Sequence, residues 1–389
     1  MNRPSVLISG AGVAGPTLAW WLVRAGVAVT VVERAQDLRS SGSPVDVRGP
    51  ALQVAEQMGI VSRLRESGTR VRAVQLVDDA GRRLARIPTA SRRDVDRQVE
   101  IPRGVLASVL YEAARDDAEF LFDESVVALD QDAGGVEAVF EHAAPRRFDS
   151  VIGADGLHSA VRRMAFGPEG DFLRHMGLYV ATVFLAESTA ATTDDVLLHN
   201  RPGRALAVHP VLGRPGAAFM FRSPAVPGFD HRDTAQHRRL LVAAYAGGGW
   251  RTPELLDRAC TTDDLYFDAV AEVRMAEWSI GRIGLLGDAA AAASFLGDGS
   301  SLAMVGAVTL AEELAASPGD PATALRRYEA RHRRRTDPVQ RAAVRGSRLL
   351  IPATAGGILA RNAAARLWSA VGGAAQALLP RQAAPAGAG

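Results

Sequence analysis

The feature that most constrains this chain lies near its start. Val6-Leu7-Ile8 is a short apolar run, Gly10-Ala11-Gly12-Val13-Ala14-Gly15 follows it, and Pro16 to Ala25 has the spacing of a helix. A buried strand, a glycine turn and a helix N-terminus form a phosphate site, because the first helical N–H groups lack internal partners and the helix dipole favours negative charge. Gly10 allows the sharp turn, Gly12 leaves room for a pyrophosphate, and Gly15 lets helix and strand pack closely. A second apolar run, Val29 to Val32, ends on Glu33 and Arg34, where a carboxylate can accept both hydroxyls of a ribose. This reads as a dinucleotide-binding βαβ unit, with Gly10, Gly12, Ala14, Gly15, Glu33 and Arg34 as cofactor-contact candidates. The pattern suits NAD, NADP and FAD alike.

The rest of the chain sets the frame for that unit. At 389 residues it exceeds the roughly 250 to 300 at which single cores stop growing, so two domains are expected. Its 45 basic residues nearly balance 43 acidic ones, and no dense basic tract is present, which argues against a nucleic-acid partner. Cys260 is the single cysteine, leaving no intramolecular disulfide and no cysteine-based metal cluster; no metal is expected. The first strand starts too close to Met1 for a signal peptide, and no apolar run is long enough to span a bilayer, so the cytoplasm is the expected compartment and no membrane partner is expected. Gly-x-Ser-x-Gly is absent, which argues against an α/β-hydrolase.

Along the chain, Gly42 to Gly49 reads as a turn-rich segment before a helix at Ala51 to Met58. Val71 to Ala85 alternates about Asp79-Ala80-Gly81 and predicts a hairpin, and residues 88 to 98 read as a solvated loop. Ile101 to Leu110 opens a helix with Pro102 in its first turn. Phe120 to Phe140 predicts two or three strands, and Val151 to Gly156 a buried strand and turn. Tyr179 to Leu185, Val196 to His199, Ala205 to Val211 and Ala217 to Phe221 predict a second, antiparallel sheet without crossover helices. Helices follow at Thr234 to Ala246, Pro253 to Ala259 and Ser300 to Ala315. The Arg-rich stretch 331 to 335 reads as a solvated helix face, Ala355 to Leu379 as a final amphipathic helix, and 383 to 389 as a disordered tail.

Three separated pieces share one order: Gly10 to Gly15 with Glu33, then Gly153-Ala154-Asp155-Gly156 with Ser159 and Arg162, then Gly287-Asp288 followed by Gly297-Asp298-Gly299. Together they resemble the single-component FAD-dependent aromatic hydroxylases of the p-hydroxybenzoate hydroxylase type, over residues 4 to about 335. Without a thioredoxin-like C-terminal domain, the chain is most similar to the compact branch that includes the tetracycline-modifying monooxygenases. That resemblance implies an α/β fold: a Rossmann-like FAD domain from residues 1–72, 99–176 and 268–330, a mixed or antiparallel substrate sheet from 73–98 and 177–267, and a C-terminal helical segment at 331–382. It implies that Glu33 holds the adenosine ribose, that Arg103 reaches the ribityl and phosphate portion of FAD, and that Asp155 serves both FAD and a transient NADPH or NADH. Asp288 would accept a ribityl hydroxyl. Gly297, Gly299, Ser300 and Ser301 would lie against the flavin ring, where helix N–H groups stabilise negative charge. The usual Pro of that loop is Ser294 here, and an aromatic or His often found after Gly-Asp-Ala-Ala is Ala291, which implies a roomier pocket.

The implied reaction is reduction of non-covalently held FAD by NAD(P)H, formation of a flavin C4a-hydroperoxide with O2, and hydroxylation of an aromatic or polycyclic, polyketide-like small molecule. No acid–base pair is required for that chemistry. His209 could face such a substrate; Met220 and Phe221 are further pocket candidates, although their pattern suits a core better, as does that of Trp278. An epoxidase or Baeyer–Villiger oxygenase on the same fold remains open, as does a flavin protein that sequesters a ligand without turnover. A halogenase is disfavoured, since Trp-x-Trp-x-Ile-Pro is absent. A monomer or a homodimer is equally compatible.

Overall fold

The computed structural model describes residues 3–37, 44–89, 97–185, 194–210, 215–292 and 297–377. A six-stranded sheet carries, in spatial order, Ser279–Ile280, Ile283–Leu285, Ser150–Gly153, Ser5–Ser9, Ala28–Glu33 and Glu119–Phe122. Its pairings are parallel except for the terminal hairpin of the first two strands. Such a sheet is covered on both faces, and Leu7, Ile8, Val31, Val151 and Ile152 are accordingly buried in an unbroken apolar pattern. Helix Ala14–Arg24 packs against both Arg103–Ala114 and Asp298–Ala316.

A seven-stranded sheet carries Tyr266–Val273, Leu173–Phe184, Gly216–Arg222, Arg204–His209, Val196–Arg201, Ala73–Val77 and Arg83–Pro88. It is antiparallel apart from the parallel pair Ala73–Val77 and Val196–Arg201. Alternation splits its side chains between two cores. Leu206, Val208, Phe219 and Phe221 pack with Leu241 and Tyr245 of helix Thr234–Tyr245 and Leu255 of helix Thr252–Thr261. Leu76, Leu198, Ala205 and Met220 cluster instead with Ile351 and Ala365 from the C-terminal region. That region is two helices, Pro321–Leu350 and Ala355–Ala377, the first against helix Asp298–Ala316 and the second against strand Arg83–Pro88.

Several expectations change. Pro44–Arg48, inside the segment read as turns, is a strand paired antiparallel with Gln98–Pro102. Both are short and charged, so neither reveals itself without its partner. Pro102 caps the helix instead of occupying its first turn, because its backbone is extended (φ −56°, ψ 132°) and the helix begins at Arg103. The expected divisions at 176/177 and 267/268 fall within strands of the large sheet. Gly177 (φ +74°) lies at an irregularity between His175 and Leu178, which breaks the alternation read from sequence. The Arg-rich stretch is not a plain solvated face: Arg331 pairs with Glu312 and Glu313, Arg333 sits 4.5 Å over the Trp278 ring, and His332 is buried. Ser294, most of the 88–98 loop and the tail from 378 lie outside the described residues.

Candidate cofactor and substrate site

The glycine turn is tight on its protein side and open on the other. Gly10 (φ +111°) donates its N–H to Val32 O at 2.7 Å, and a Cβ there would meet Ala154 O at 2.5 Å. A Cβ on Gly15 would meet Gly10 O at 1.9 Å, whereas one on Gly12 would meet nothing within 4 Å. Gly12 therefore borders the free space in which a phosphate can approach the backbone of the helix start. Glu33 spans this turn: Oε2 accepts from the Ala11 N–H at 2.9 Å and Oε1 from the Ala35 N–H at 3.0 Å. A carboxylate has about four lone-pair sites, so two remain for a ribose. Arg34 beside it is exposed, and Ala14 is buried next to Gly287.

Arg103 and Asp288, far apart in sequence, meet at 3.5 Å (Nη2 to Oδ2). Each opens a helix, Arg103–Ala114 and Asp288–Ala291, so both charged groups stand where a polyol or phosphate would add charge-assisted hydrogen bonds. Gly297, in the left-handed conformation (φ +89°), starts helix Asp298–Ala316. Its neighbours are fastened to strand Pro44–Arg48. Asp298 pairs with Arg48, and the buried Ser301 hydroxyl donates to Asp46 O at 2.8 Å while accepting from the Arg48 N–H at 3.1 Å. Ser301 is thus engaged in holding the loop. Ser300 is also buried, and Gly299 borders a small cavity with Asp288, Ala291 and the His332 ring.

Asp155 has a mainly architectural set of contacts. Its carboxylate accepts from the Ser159 hydroxyl at 2.5 Å and from the N–H groups of Ala160 and Val161 at 2.8 and 3.1 Å. Burial pushes its pKa up, with those bonds opposing. Just beyond, His158, in the turn after strand Ser150–Gly153, reaches the seven-stranded sheet: Nδ1 is 3.1 Å from Glu169 and Nε2 is 3.0 Å from Asp268 on strand Tyr266–Val273. Burial alone would lower its pKa, but the two carboxylates raise it to about 9.

The three substrate-pocket candidates separate. Phe221 is in the core under the two helices of the outer face, stacked 5.5 Å from Tyr179, so it is not a pocket residue; Met220, its neighbour, points to the opposite face. Phe221 and Met220 were read together because sequence alternation does not say which face is which. His209 follows Ala205 and Ala207 in alternation, on the Met220 side, and its Nε2 lies 3.3 Å from Glu100 Oε1. Glu100 and Asp46 were missed by sequence reasoning. They sit opposite each other in the two-stranded sheet, and the only signal was a carboxylate alternating with Val99 and Ile101.

A model for an FAD binding domain matches residues 3–344. A flavin-dependent monooxygenase of Legionella longbeachae is 35% identical over 333 residues, covering 84% of each chain. The chain belongs to the FAD-dependent monooxygenase family. An uncharacterized protein of Mycobacterium tuberculosis is 38% identical, covering 84% of this monooxygenase and 89% of that protein. Among solved structures, the tetracycline destructase Tet(51) superposes with a TM-score of 0.82 at 29% identity, covering 98% of this chain and 100% of that one. The monooxygenase is of the single-component type, with the p-hydroxybenzoate hydroxylase-like fold and likeness to the compact tetracycline-modifying branch. No helix among the described residues is long and apolar enough to cross a membrane, and none of their His, Cys, Asp and Glu side chains group as a metal site.

Proposed function

We propose that this monooxygenase takes electrons from NADPH or NADH and uses O2 to hydroxylate an aromatic or polycyclic, polyketide-like small molecule. The observation that carries this reading is the inner face of the seven-stranded sheet. Leu198 and Met220 on that face pack with Ile351 and Ala365 of the C-terminal region, and at the end of strand Arg204–His209 His209 touches Glu100 beside the strand that fastens the Gly297 loop. FAD, when bound, supplies the two-electron and O2 chemistry. The chain binds, orients and excludes water. The gap at Gly12 and the helix beginning at Ala14 receive the pyrophosphate, Glu33 the adenosine ribose, and Arg103 with Asp288 the ribityl and phosphate portion. The N–H groups from Gly297 to Gly299 offset negative charge at the ring, and the apolar sheet face keeps the reacting region dry. Asp155 organises the turn beside these groups.

FAD is held without a covalent bond in this reading, since Cys260 lies in helix Thr252–Thr261 on the outer face of the substrate sheet. The likeness to an enzyme named as a tetracycline destructase supports a polycyclic substrate. The test is anaerobic rapid mixing of the yellow protein with NADPH or NADH across a panel of aromatic and polycyclic compounds. At least one should accelerate flavin reduction by roughly tenfold, about 1.4 kcal/mol of barrier. Reduction that ignores every compound would contradict the proposal, and bound colour without any reduction would favour a sequestering protein.

A further inference from the structure

A cavity of about 310 Å³ opens between the end of strand Tyr266–Val273 and helix Pro321–Leu350. Gly12, Glu33, Arg103, Asp288 and Gly297 are not among its walls, so FAD held by those residues leaves it free. Three guanidinium groups line it from two elements: Arg274 just beyond the strand, and Arg333 and Arg341 on the helix. Arg274 gives Nε and Nη2 to Glu272 at 2.6 and 3.2 Å. Arg333 sits over the Trp278 ring, gives Nε to Glu329 at 2.8 Å, and gives Nη2 to the carbonyls of Met275 and Ala276, each at 2.9 Å. These bonds fix both groups and leave Nη1 of each without a partner among the described residues. Arg341 is exposed and makes no ion pair among the described residues. The floor is rigid as well, because Gln340 donates Nε2 to Val273 O at 2.9 Å and to Ala292 O at 3.2 Å.

Asp337 is the only carboxylate in the wall. Hydrogen bonding to Glu272 raises the Arg274 pKa, burial opposes, and the charges of Glu272 and Asp337 add to the rise, so Asp337 stands close to that guanidinium. A guanidinium presents its N–H groups as a planar fork that matches phosphate oxygens, and three of them suit a dianion. Asp337 repels a bare dianion but accepts from hydroxyl groups, and the cavity is larger than a bare phosphate fills. We propose that this cavity binds a small phosphate ester that carries hydroxyl groups, of the sugar phosphate class. Its phosphate takes Nη1 of Arg274, Nη1 of Arg333 and the Arg341 fork, and its hydroxyls donate to Asp337. A ligand held in this way fastens the end of the substrate sheet to the C-terminal helix. Through Gln340 it also reaches Ala292, ahead of the Gly297 loop.

The test is calorimetric titration of the FAD-loaded protein without NAD(P)H, at about pH 7.5, where a phosphate monoester is largely dianionic. The probes are ribose 5-phosphate, inorganic phosphate and ribose, in sodium chloride of matched ionic strength. Ribose 5-phosphate should bind at one site per chain, about tenfold more tightly than either of the others, and should raise the melting temperature. Arg341→Gln and Arg274→Gln should each weaken it about tenfold, with FAD content unchanged because neither residue lies among the candidate FAD contacts. Asp337→Asn should remove the advantage of ribose 5-phosphate over inorganic phosphate. The proposal is overturned by absence of binding, by equal affinity for ribose 5-phosphate and inorganic phosphate, or by an advantage that survives Asp337→Asn. Unchanged affinity in the two arginine variants, or release of FAD during the titration, would overturn it as well.

Discussion

The parallel sheet and the antiparallel sheet solve opposite problems. Around the glycine turn the backbone itself makes the site: Gly15 approaches Gly10 O so closely that a Cβ would stand 1.9 Å from it, while Gly12 is left open. On the seven-stranded sheet the backbone is ordinary ladder, and what distinguishes one face from the other is the choice of side chains, Phe221 for an aromatic core and Met220 for the inner face. A cofactor shared across a family can be met by fixed backbone geometry. A substrate particular to one member is met by side chains on a tolerant scaffold.

The largest expected effect is on the backbone side. Gly15→Ala forces its methyl into backbone atoms that cannot rotate away, a loss beyond about 4 kcal/mol, and should give insoluble or colourless protein. A soluble, yellow variant with an unchanged melting temperature would break the contrast. Phe221→Ala should cost about 3 to 5 kcal/mol in chemical denaturation, since its ring packs on Tyr179, Tyr245 and Phe267. Its FAD content should not change, and a loss of FAD would show that the two regions are not separable in this way. Arg103→Ala and Asp288→Ala should stay folded but bind FAD roughly ten- to a hundredfold more weakly, about 1 to 3 kcal/mol, as judged by flavin titration.

The smallest effect is at the junction. His158 has a folded-state pKa of about 9, above the 6.5 of an unconstrained imidazole. Its contribution to stability is therefore complete below about pH 6.5 and disappears as pH rises through about 9. The groups that face it are Glu169, Asp268 and the stacked ring of His231, with Arg162 close to Glu169. Melting temperature should fall across that window, and His158→Gln should flatten the fall. An identical slope in the variant would remove His158 as its source.

The same contrast explains what was legible in the sequence. Gly10, Gly12, Gly15 and Glu33 are demanded by a local strand–turn–helix, so their spacing is visible in one short stretch, whereas Arg103 and Asp288, which meet only in the folded chain, were named through resemblance alone. The strand pair Pro44–Arg48 and Gln98–Pro102 was hidden because each half is short, charged and meaningful only beside the other. Glu100 was hidden for a related reason. A carboxylate alternating with apolar residues looks like a solvated edge until His209 is brought to it from another sheet. Gly177 misled in the other direction, since an irregularity within one long strand resembles the end of a strand. Faces, unlike periods, are decided by tertiary packing.

Oxygen transfer is the claim on which the functional reading turns, and isotopic labelling reaches it most directly. The FAD-loaded protein, NADPH or NADH, and a compound that accelerates flavin reduction should be incubated under 18O2 in ordinary water, with the product measured by mass spectrometry. The product should carry one 18O atom, and none when the label is supplied in the water instead. Unlabelled compound, with all the oxygen consumed appearing as hydrogen peroxide, would contradict it.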